Sequence, residues 1–330
     1  MQTRKVQVTG GSTFTVSLPK GWATDHGVSA GSVVALYPEA DTLVLRPRVG
    51  SDPAEVVLDT NGPDGEALVR TVVAAYVGGF DVITFDGPVD AGRRRAIRRA
   101  TRRLVGLEVV EETERRIRLR YLLDSEELSV HDATTRMSVV ATSMLDDAMR
   151  ALVEGDADLA ADVRERDDEV DRLRALVLRA FRRNLRDPAA ATRGPDTETC
   201  FDYQQCSRQY ERVADHAEKV AGFVGEATVP GDLESDLQAL HDAAVDVLRR
   251  ATEAFLAAES DPDRAIRLSD EAGDANATVH EGARALDTEL QEADADSAVG
   301  LGLVVDSLSR VADYGGNVAE VARQRAAPRP

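Results

Sequence analysis

Acidic residues spaced four apart are the groups in this 330-residue chain whose pattern most suggests chemistry. Asp167 and Asp171 form one such pair, and Glu211 and Asp215 form another. On a helix, residues i and i+4 project from the same face, so each pair presents two carboxylates side by side. If the two helices lie next to each other, four carboxylates converge, and such a cluster is costly without a cation.

A repeat doubles this pattern near the C-terminus. The sequence Arg-Val-Ala-Asp at residues 212–215 returns at residues 310–313, and the following Val-Ala keeps its spacing. One helical unit is therefore used twice. The second copy has its own acidic pair, Asp270 and Asp274, but Ser309 stands where the first copy has Glu211.

The acidic pairs also have a simpler interpretation. The chain holds 59 acidic and 40 basic residues, for a net charge of -19, so many carboxylates must lie on a solvated surface. A helical wheel centred on Val213 and Val220 places Glu211 and Asp215 on the solvent side. An acid-rich surface with only three lysines resembles that of proteins from salt-loving archaea, where salt screens the self-repulsion.

Helical elements fill the chain from residue 129 to about residue 325. Apolar residues recur there with a period near 3.6, and Pro- and Gly-containing breaks separate six segments. The predicted helices are 129–153, 156–185, 197–225, 232–258, 262–290 and 296–325. They form two tandem three-helix bundles, at residues 127–227 and 230–326, so the fold class is multidomain and mainly α.

Two smaller domains precede the bundles. Residues 1–48 alternate in short β-branched runs broken by Gly10-Gly11, which predicts hairpins, and Trp22 is expected to anchor the core of this unit. Residues 53–123 alternate strand and helix patterns, which predicts a small α+β domain.

Basic residues are concentrated in the N-terminal third. Residues 1–123 hold 17 basic and 15 acidic residues, whereas residues 124–330 hold 23 and 44, so a polyanion would bind to the first part. Arg4, Lys5 and Lys20 are the candidates for phosphate contacts with DNA. Residues 93–103 also contain seven arginines, which either follow a phosphate backbone or pair with acids of the bundles.

Residues 1–48 resemble the AbrB/SpoVT family of swapped-hairpin domains. The resemblance rests on Ser-Leu-Pro-Lys at residues 17–20, the Gly-Val-Ser-Ala-Gly turn at 27–31 and Leu-Val-Leu-Arg-Pro at 43–47. It implies that two chains interleave their hairpins in a homodimer, because one copy has too little apolar surface to fold alone. It also implies DNA binding, with a pure dimerisation module as the alternative.

The last 200 residues resemble the PhoU family, in which an acidic-x-x-x-Asp motif repeats along a pair of three-helix bundles. The resemblance implies a first metal cluster of Asp167, Asp171, Glu211 and Asp215. It implies a second of Asp270, Asp274 and Asp313. Oxygen-only ligands favour a divalent or transition ion such as iron, manganese or magnesium over structural zinc.

These resemblances imply a regulator of phosphate uptake and phosphate homeostasis. In one alternative the protein is a transcription regulator that binds operator DNA. In the other it is an adaptor that docks a phosphate ABC transporter or a sensor kinase. No phosphate-binding loop, nucleophile elbow or metalloprotease motif is present, so an enzyme is not expected. No signal peptide or membrane-spanning run is present either, which predicts a cytoplasmic protein without membrane insertion.

Overall fold

A computed structural model describes residues 3–39, 42–47, 53–60, 62–123, 129–187, 194–290 and 295–328. The chain divides into two compact units, Met1–Ala54 and Glu55–Pro330, called here the N-terminal unit and the C-terminal unit. The three domains predicted after residue 53 therefore lie together in one compact unit. The predicted fold class, multidomain and mainly α after a small β unit, is confirmed.

The N-terminal unit consists of two hairpins and one short helix. Strands β1 (Gln7–Thr9) and β2 (Thr13–Thr15) pair antiparallel, with Gln7 opposite Thr15. Gly10 and Gly11 begin the connection at residues 10–12 with φ of 65° and 79°, a conformation that favours glycine. Helix α1 (Lys20–Asp25) follows, and then β3 (Ala35–Glu39) pairs antiparallel with β4 (Thr42–Arg46).

The N-terminal unit has no core of its own. None of the side chains that the structure describes up to residue 54 is buried, and Phe14 is 76% exposed. The expectation that Trp22 anchors a core is wrong for a single chain, since Trp22 is only half-buried and stacks on His26. The exposed apolar side chains include Val6, Val8, Val33 and Leu43. A single copy thus leaves apolar surface that water disfavours.

The C-terminal unit begins with the predicted α+β domain. Its elements are β5 (Glu55–Asp59), α2 (Gly65–Val77), β6 (Val82–Asp86), α3 (Ala91–Arg102), β7 (Leu107–Glu112) and β8 (Arg116–Tyr121). The sheet order is β5-β6-β8-β7, and only the β5–β6 pair, joined through α2, is parallel. Ile83, Phe85 and Leu119 of the sheet pack with Ile97 of α3 in its core.

Most arginines of the basic run pair with acids. Arg94 and Arg98 of α3 bind Glu112 at 3.1 and 2.8 Å, and Arg103 binds Asp168 at 3.2 Å. Asp90 caps the start of α3 and pairs with Arg93, and Arg99 pairs with Glu66. Of these five arginines, only Arg103 pairs with an acid of a bundle, as the pairing interpretation expected. The other four pair within the α+β domain, and Arg95 and Arg102 make no ion pair with a described residue.

Six long helices form the rest of the C-terminal unit. They are α4 (Val130–Glu154), α5 (Ala157–Arg186), α6 (Thr197–Gly222), α7 (Glu234–Ala257), α8 (Pro262–Leu290) and α9 (Ala295–Ala326). The side chains of Ser129, Asp156 and Asp196 accept backbone N–H groups at the starts of α4, α5 and α6. Of the helices described, none is long and apolar enough to cross a membrane.

The repeat occupies equivalent core positions in the two bundles. Val213 and Val220 of α6 and their counterparts Val311 and Val318 of α9 are all fully buried. These residues belong to one hydrophobic core that continues through both bundles. The three-helix units are therefore halves of a single packed module rather than separate bodies.

Helix α5 also joins the bundles to the α+β domain. The side chain of Arg179 is 2% exposed and donates from Nη1 to the carbonyls of Tyr76 and Phe80 at 2.8 and 2.7 Å. Its Nη2 donates to Asp81 Oδ1 at 2.7 Å, and its guanidinium lies 4.1 Å from the ring centre of Tyr121. The helix that carries Asp167 and Asp171 is thus anchored in two domains.

Candidate functional site

Helices α5 and α6 run antiparallel and bring the first set of acids together. Arg174 pairs with Glu211 at 3.5 Å, and the Arg164 side chain donates to the Ala221 carbonyl at 3.2 Å. These two contacts define the register, which places Asp171 level with the turn of Asp215. The four acids Asp167, Asp171, Glu211 and Asp215, called cluster one, therefore lie along the contact between α5 and α6, with Asp171 and Asp215 at one level and Asp167 about 10 Å along the helix from the level of Glu211.

The electrostatics of cluster one are those of crowded carboxylates. Burial, together with nearby carboxylates, raises the pKa of Asp167 to about 7. Those neighbours include Asp171, Asp215 and Glu218. Burial likewise raises the pKa of Asp171 and Asp215, with the carboxylate of Asp171 adding to the second shift. Because Asp171 and Asp215 are exposed residues, solvent screens part of this repulsion.

Glu211 differs from the other three acids. Burial raises the pKa of Glu211, but the guanidinium of Arg174 opposes that shift. Only 19% of its side chain is exposed, so the helical-wheel expectation of a solvent-facing Glu211 is wrong, whereas Asp215 is exposed as that interpretation expected. The wheel failed at Glu211 because a neighbouring helix covers the position.

Glu218 is a further acid beside Asp167 and Asp215, although the acidic-x-x-x-Asp spacing does not include it. It is one of the charges that raise the pKa values of Asp167 and Asp215. Glu211, Asp215 and Glu218 follow each other at i, i+4 and i+7, which is one face of α6. This spacing in the sequence could have predicted that Glu218 lies on the same face as Glu211 and Asp215.

The donor chemistry of cluster one fits a hard cation, but its side chains do not yet close around one. The four side chains of cluster one offer carboxylate oxygens, the donors that magnesium, manganese and iron prefer. Within the part of the chain that the structure describes, no three His, Cys, Asp or Glu side chains are grouped closely enough to hold an ion. Rotation of the exposed Asp171 and Asp215 would be needed to enclose it.

The structure does not bring the second set of acids together. Asp313 of α9 pairs with His280 Nε2 at 2.8 Å, and Asp270 of α8 pairs with Arg323. In this register Asp274 lies about 9 Å along the helix from the level of Asp313. Ser309 donates its hydroxyl to the carbonyl of Val305 in its own helix. Asp270, Asp274 and Asp313 therefore do not lie side by side in the described structure, and a metal site at these residues stays a prediction.

The candidate DNA contacts lie on the surface of the N-terminal unit. Arg4 and Lys5 precede β1, Lys20 opens α1, and all three are exposed. The Arg4 guanidinium donates to the carbonyl of Thr3 at 3.1 Å. Exposure leaves the charges of these side chains accessible to a polyanion.

Comparisons with known proteins support both resemblances. Residues 134–224 match the PhoU domain, and residues 7–52 match the family described as antidote-toxin recognition MazE, bacterial antitoxin. The first bundle is thus similar to the PhoU domain, and the N-terminal unit is similar to the MazE family. A search of curated proteins found no match.

Two solved structures are similar to more than half of the chain. PhoU from Pseudomonas aeruginosa is 21% identical, with a TM-score of 0.46 over 58% of this chain and 93% of that one. The phosphate transport system regulatory protein PhoU from Streptococcus pneumoniae is 15% identical, with a TM-score of 0.48 over 58% of this chain and 91% of that one.

Proposed function

We propose that this protein regulates phosphate uptake and phosphate homeostasis as a DNA-binding transcription regulator whose helical module holds a metal ion. The observation that carries the proposal is the presence of both a PhoU domain and a MazE/AbrB-like domain in one chain. The first supplies the link to phosphate, and the second is of a kind suited to DNA. The protein is not an enzyme in this proposal.

The charge distribution supports DNA binding by the N-terminal unit. Two of the three lysines in the chain, Lys5 and Lys20, lie in this unit together with Arg4. Arg4, Lys5 and Lys20 are exposed, as phosphate contacts require. The strongly acidic C-terminal unit would be repelled by the same polyanion, which orients the protein on DNA.

Salt dependence tests this proposal. Alanine at Arg4, Lys5 and Lys20 should weaken binding of the full chain to a random-sequence DNA duplex. It should also reduce the slope of log affinity against log salt by about 0.9 for each phosphate contact that is removed. Binding would be measured by fluorescence anisotropy across a potassium chloride series.

A matched variant controls for net charge. Alanine at Arg182, Arg208 and Arg267 removes three exposed arginines of the helical module and should leave the slope unchanged. If the N-terminal triple variant keeps the parent slope, the N-terminal unit is a dimerisation module and does not bind DNA.

A groove between the two bundles favours the adaptor function as a second candidate. It has a volume of about 680 Å³, and Val139 of α4 and Leu256 of α7 line it while remaining 64% and 38% exposed. Apolar side chains in an open groove suit a protein partner such as a phosphate transporter or sensor kinase. Val139→Asp with Leu256→Asp should then abolish transporter binding in a pull-down with purified components, with DNA affinity unchanged.

A further inference from the structure

A second groove lies where the end of α3 meets α4 and α5. Its volume is about 590 Å³. Arg99 and Arg102 reach it from the last turn of α3, where a spacing of three residues puts them on one face, and Arg103 reaches it from the position directly after the helix. Arg136 of α4 and Arg172 of α5 line the opposite side. Five guanidinium groups therefore surround one concave surface.

The carboxylates of the groove do not balance these arginines. Three acids also line it, Glu165, Asp168 and Glu169. Arg103 pairs with Asp168 at 3.2 Å and Arg136 with Glu169 at 2.6 Å. Arg102 and Arg172 are exposed and make no ion pair with any residue in the described ranges. Glu66, outside the groove, pairs with Arg99, so five arginines face four carboxylates and one positive charge is in surplus in a protein whose net charge is -19.

The residue types of the lining point to phosphate groups as the ligand. A guanidinium presents parallel N–H donors that match two oxygens of one phosphate. The volume exceeds that of one tetrahedral oxyanion and lies in the range of small-molecule sites. Only Val105 and Leu173 are apolar, and no described aromatic ring lines the groove to stack on a nucleobase.

We propose that this groove binds a linear inorganic phosphate chain, such as tripolyphosphate, between Arg102 and Arg172. Such a ligand would contact both the α+β domain and the helical module, so that the protein would sense a phosphate compound by binding it directly. The regulatory meaning of this site rests on the proposed function, whereas binding itself does not.

The existing ion pairs can give way to such a ligand. Arg103 and Arg136 are 46% and 65% exposed, and exposed pairs of this kind stabilise a protein little. A phosphate chain carries more charge than either carboxylate and can accept hydrogen bonds from both guanidinium groups. Asp168 and Glu169 would then be released to solvent.

Calorimetric titration of the full chain with tripolyphosphate in potassium chloride tests the proposal. Arg102→Gln with Arg172→Gln should weaken binding by about tenfold or more, because two charged donors to the phosphate chain are removed. The matched control is Arg95→Gln with Arg182→Gln, which removes exposed arginines from the same two helices outside the groove. The control should bind as the parent does.

Several results would overturn the proposal. They are an absence of tripolyphosphate binding to the parent, an equal loss in both double variants, or equally tight binding of sulfate or orthophosphate. ATP presents the same triphosphate on a nucleoside, and tighter binding of ATP would assign the groove to a nucleotide instead. The DNA salt slope of the groove variant, expected to equal that of the parent, separates failure here from failure of the proposed function.

Discussion

At the scale of residues, the two sets of acids differ in the charges beside them. Asp313 has His280 and Asp270 has Arg323, so both carboxylates already have partners. Asp167 instead has acidic neighbours, and its pKa is raised because burial and these neighbours make the ionised form less favourable. A cation lowers the free energy most where carboxylates lack other partners, so cluster one is the better candidate.

Metal content tests this difference. Asp167→Asn with Asp215→Asn keeps the side-chain volume but removes two of the four carboxyl groups of cluster one. Affinity for iron, manganese or magnesium should fall by about tenfold or more. Elemental analysis of chains dialysed against a limiting concentration of each ion gives the measurement.

The control for metal binding removes the same charge from the second set. Asp270→Asn with Asp274→Asn should leave the metal content at the parent value, because those carboxylates do not converge. Equal metal content in the parent and the cluster-one variant would show that the acidic pairs do not bind metal and are part of a solvated surface.

Spacing alone could predict part of cluster one. The i, i+4 rule placed Asp167 with Asp171 correctly because it depends only on helix geometry. It could not reveal that Arg174 pairs with Glu211, since this contact depends on the register of α5 against α6. The same dependence on packing separated Asp313 from Asp270.

At the scale of elements, α5 connects the candidate site to the α+β domain through Arg179. Arg179→Met should destabilise the protein by about 3–5 kcal/mol, because it removes a buried guanidinium that donates to Asp81 Oδ1 and to the carbonyls of Tyr76 and Phe80. Urea unfolding measures the loss.

Hydrogen exchange should localise that loss. Protection is expected to fall first at the end of α2 and in the segment that leads into β6, where Tyr76, Phe80 and Asp81 accept from Arg179. Arg182→Met, at an exposed position of the same helix, should change stability by less than about 0.5 kcal/mol. Equal effects of the two substitutions would show that Arg179 does not anchor the domain.

Helices α4 and α7 are tied by a histidine that makes stability depend on pH. His241 Nε2 lies 3.1 Å from Asp146 Oδ1, and Nδ1 lies 3.0 Å from Asp242 Oδ1. Burial alone would lower the pKa of His241, but the two carboxylates outweigh it and raise the pKa above 6.5. The folded state therefore favours protonated His241, and the stabilisation is complete below pH 6.5 and lost as pH rises through the raised value.

Asp146→Asn should consequently destabilise the protein at pH 6 more than at pH 9. The expected difference is about 1 kcal/mol, since the Asp146 side chain is 52% exposed and partly screened. Thermal unfolding at the two pH values gives the measurement, with the exposed Glu281→Gln of α8 as a control that removes one charge. A destabilisation independent of pH would show that His241 is neutral in the folded protein.

At the scale of the whole molecule, local signals predicted the elements and long-range contacts decided their assembly. Apolar periodicity and breaks placed α8 at residues 262–290, as observed. The single core through both bundles and the buried Arg179 depend on residues far apart in sequence. Patterns within one short segment contain no information about contacts between distant segments. The sequence therefore could not predict that residues 55–330 form one compact unit.

The exposed apolar surface of the N-terminal unit predicts that the protein is a homodimer. Val8 and Phe14 are 62% and 76% exposed on the first hairpin, and no described side chain of that unit is buried. A second copy that covers these side chains would supply the missing core. Static light scattering of the full chain in molar potassium chloride should therefore give twice the mass of 35.6 kDa.

Substitution of the hairpin tests where the dimer forms. Val8→Thr with Phe14→Thr should weaken the dimer by at least about tenfold, because two apolar side chains no longer become buried on association. Val139→Thr with Leu256→Thr removes exposed apolar side chains from the C-terminal unit and should leave the dimer intact. A monomeric parent would contradict the prediction. Dissociation by the second pair alone would place the interface on the helical module, because those two side chains would then be the ones that hold the chains together.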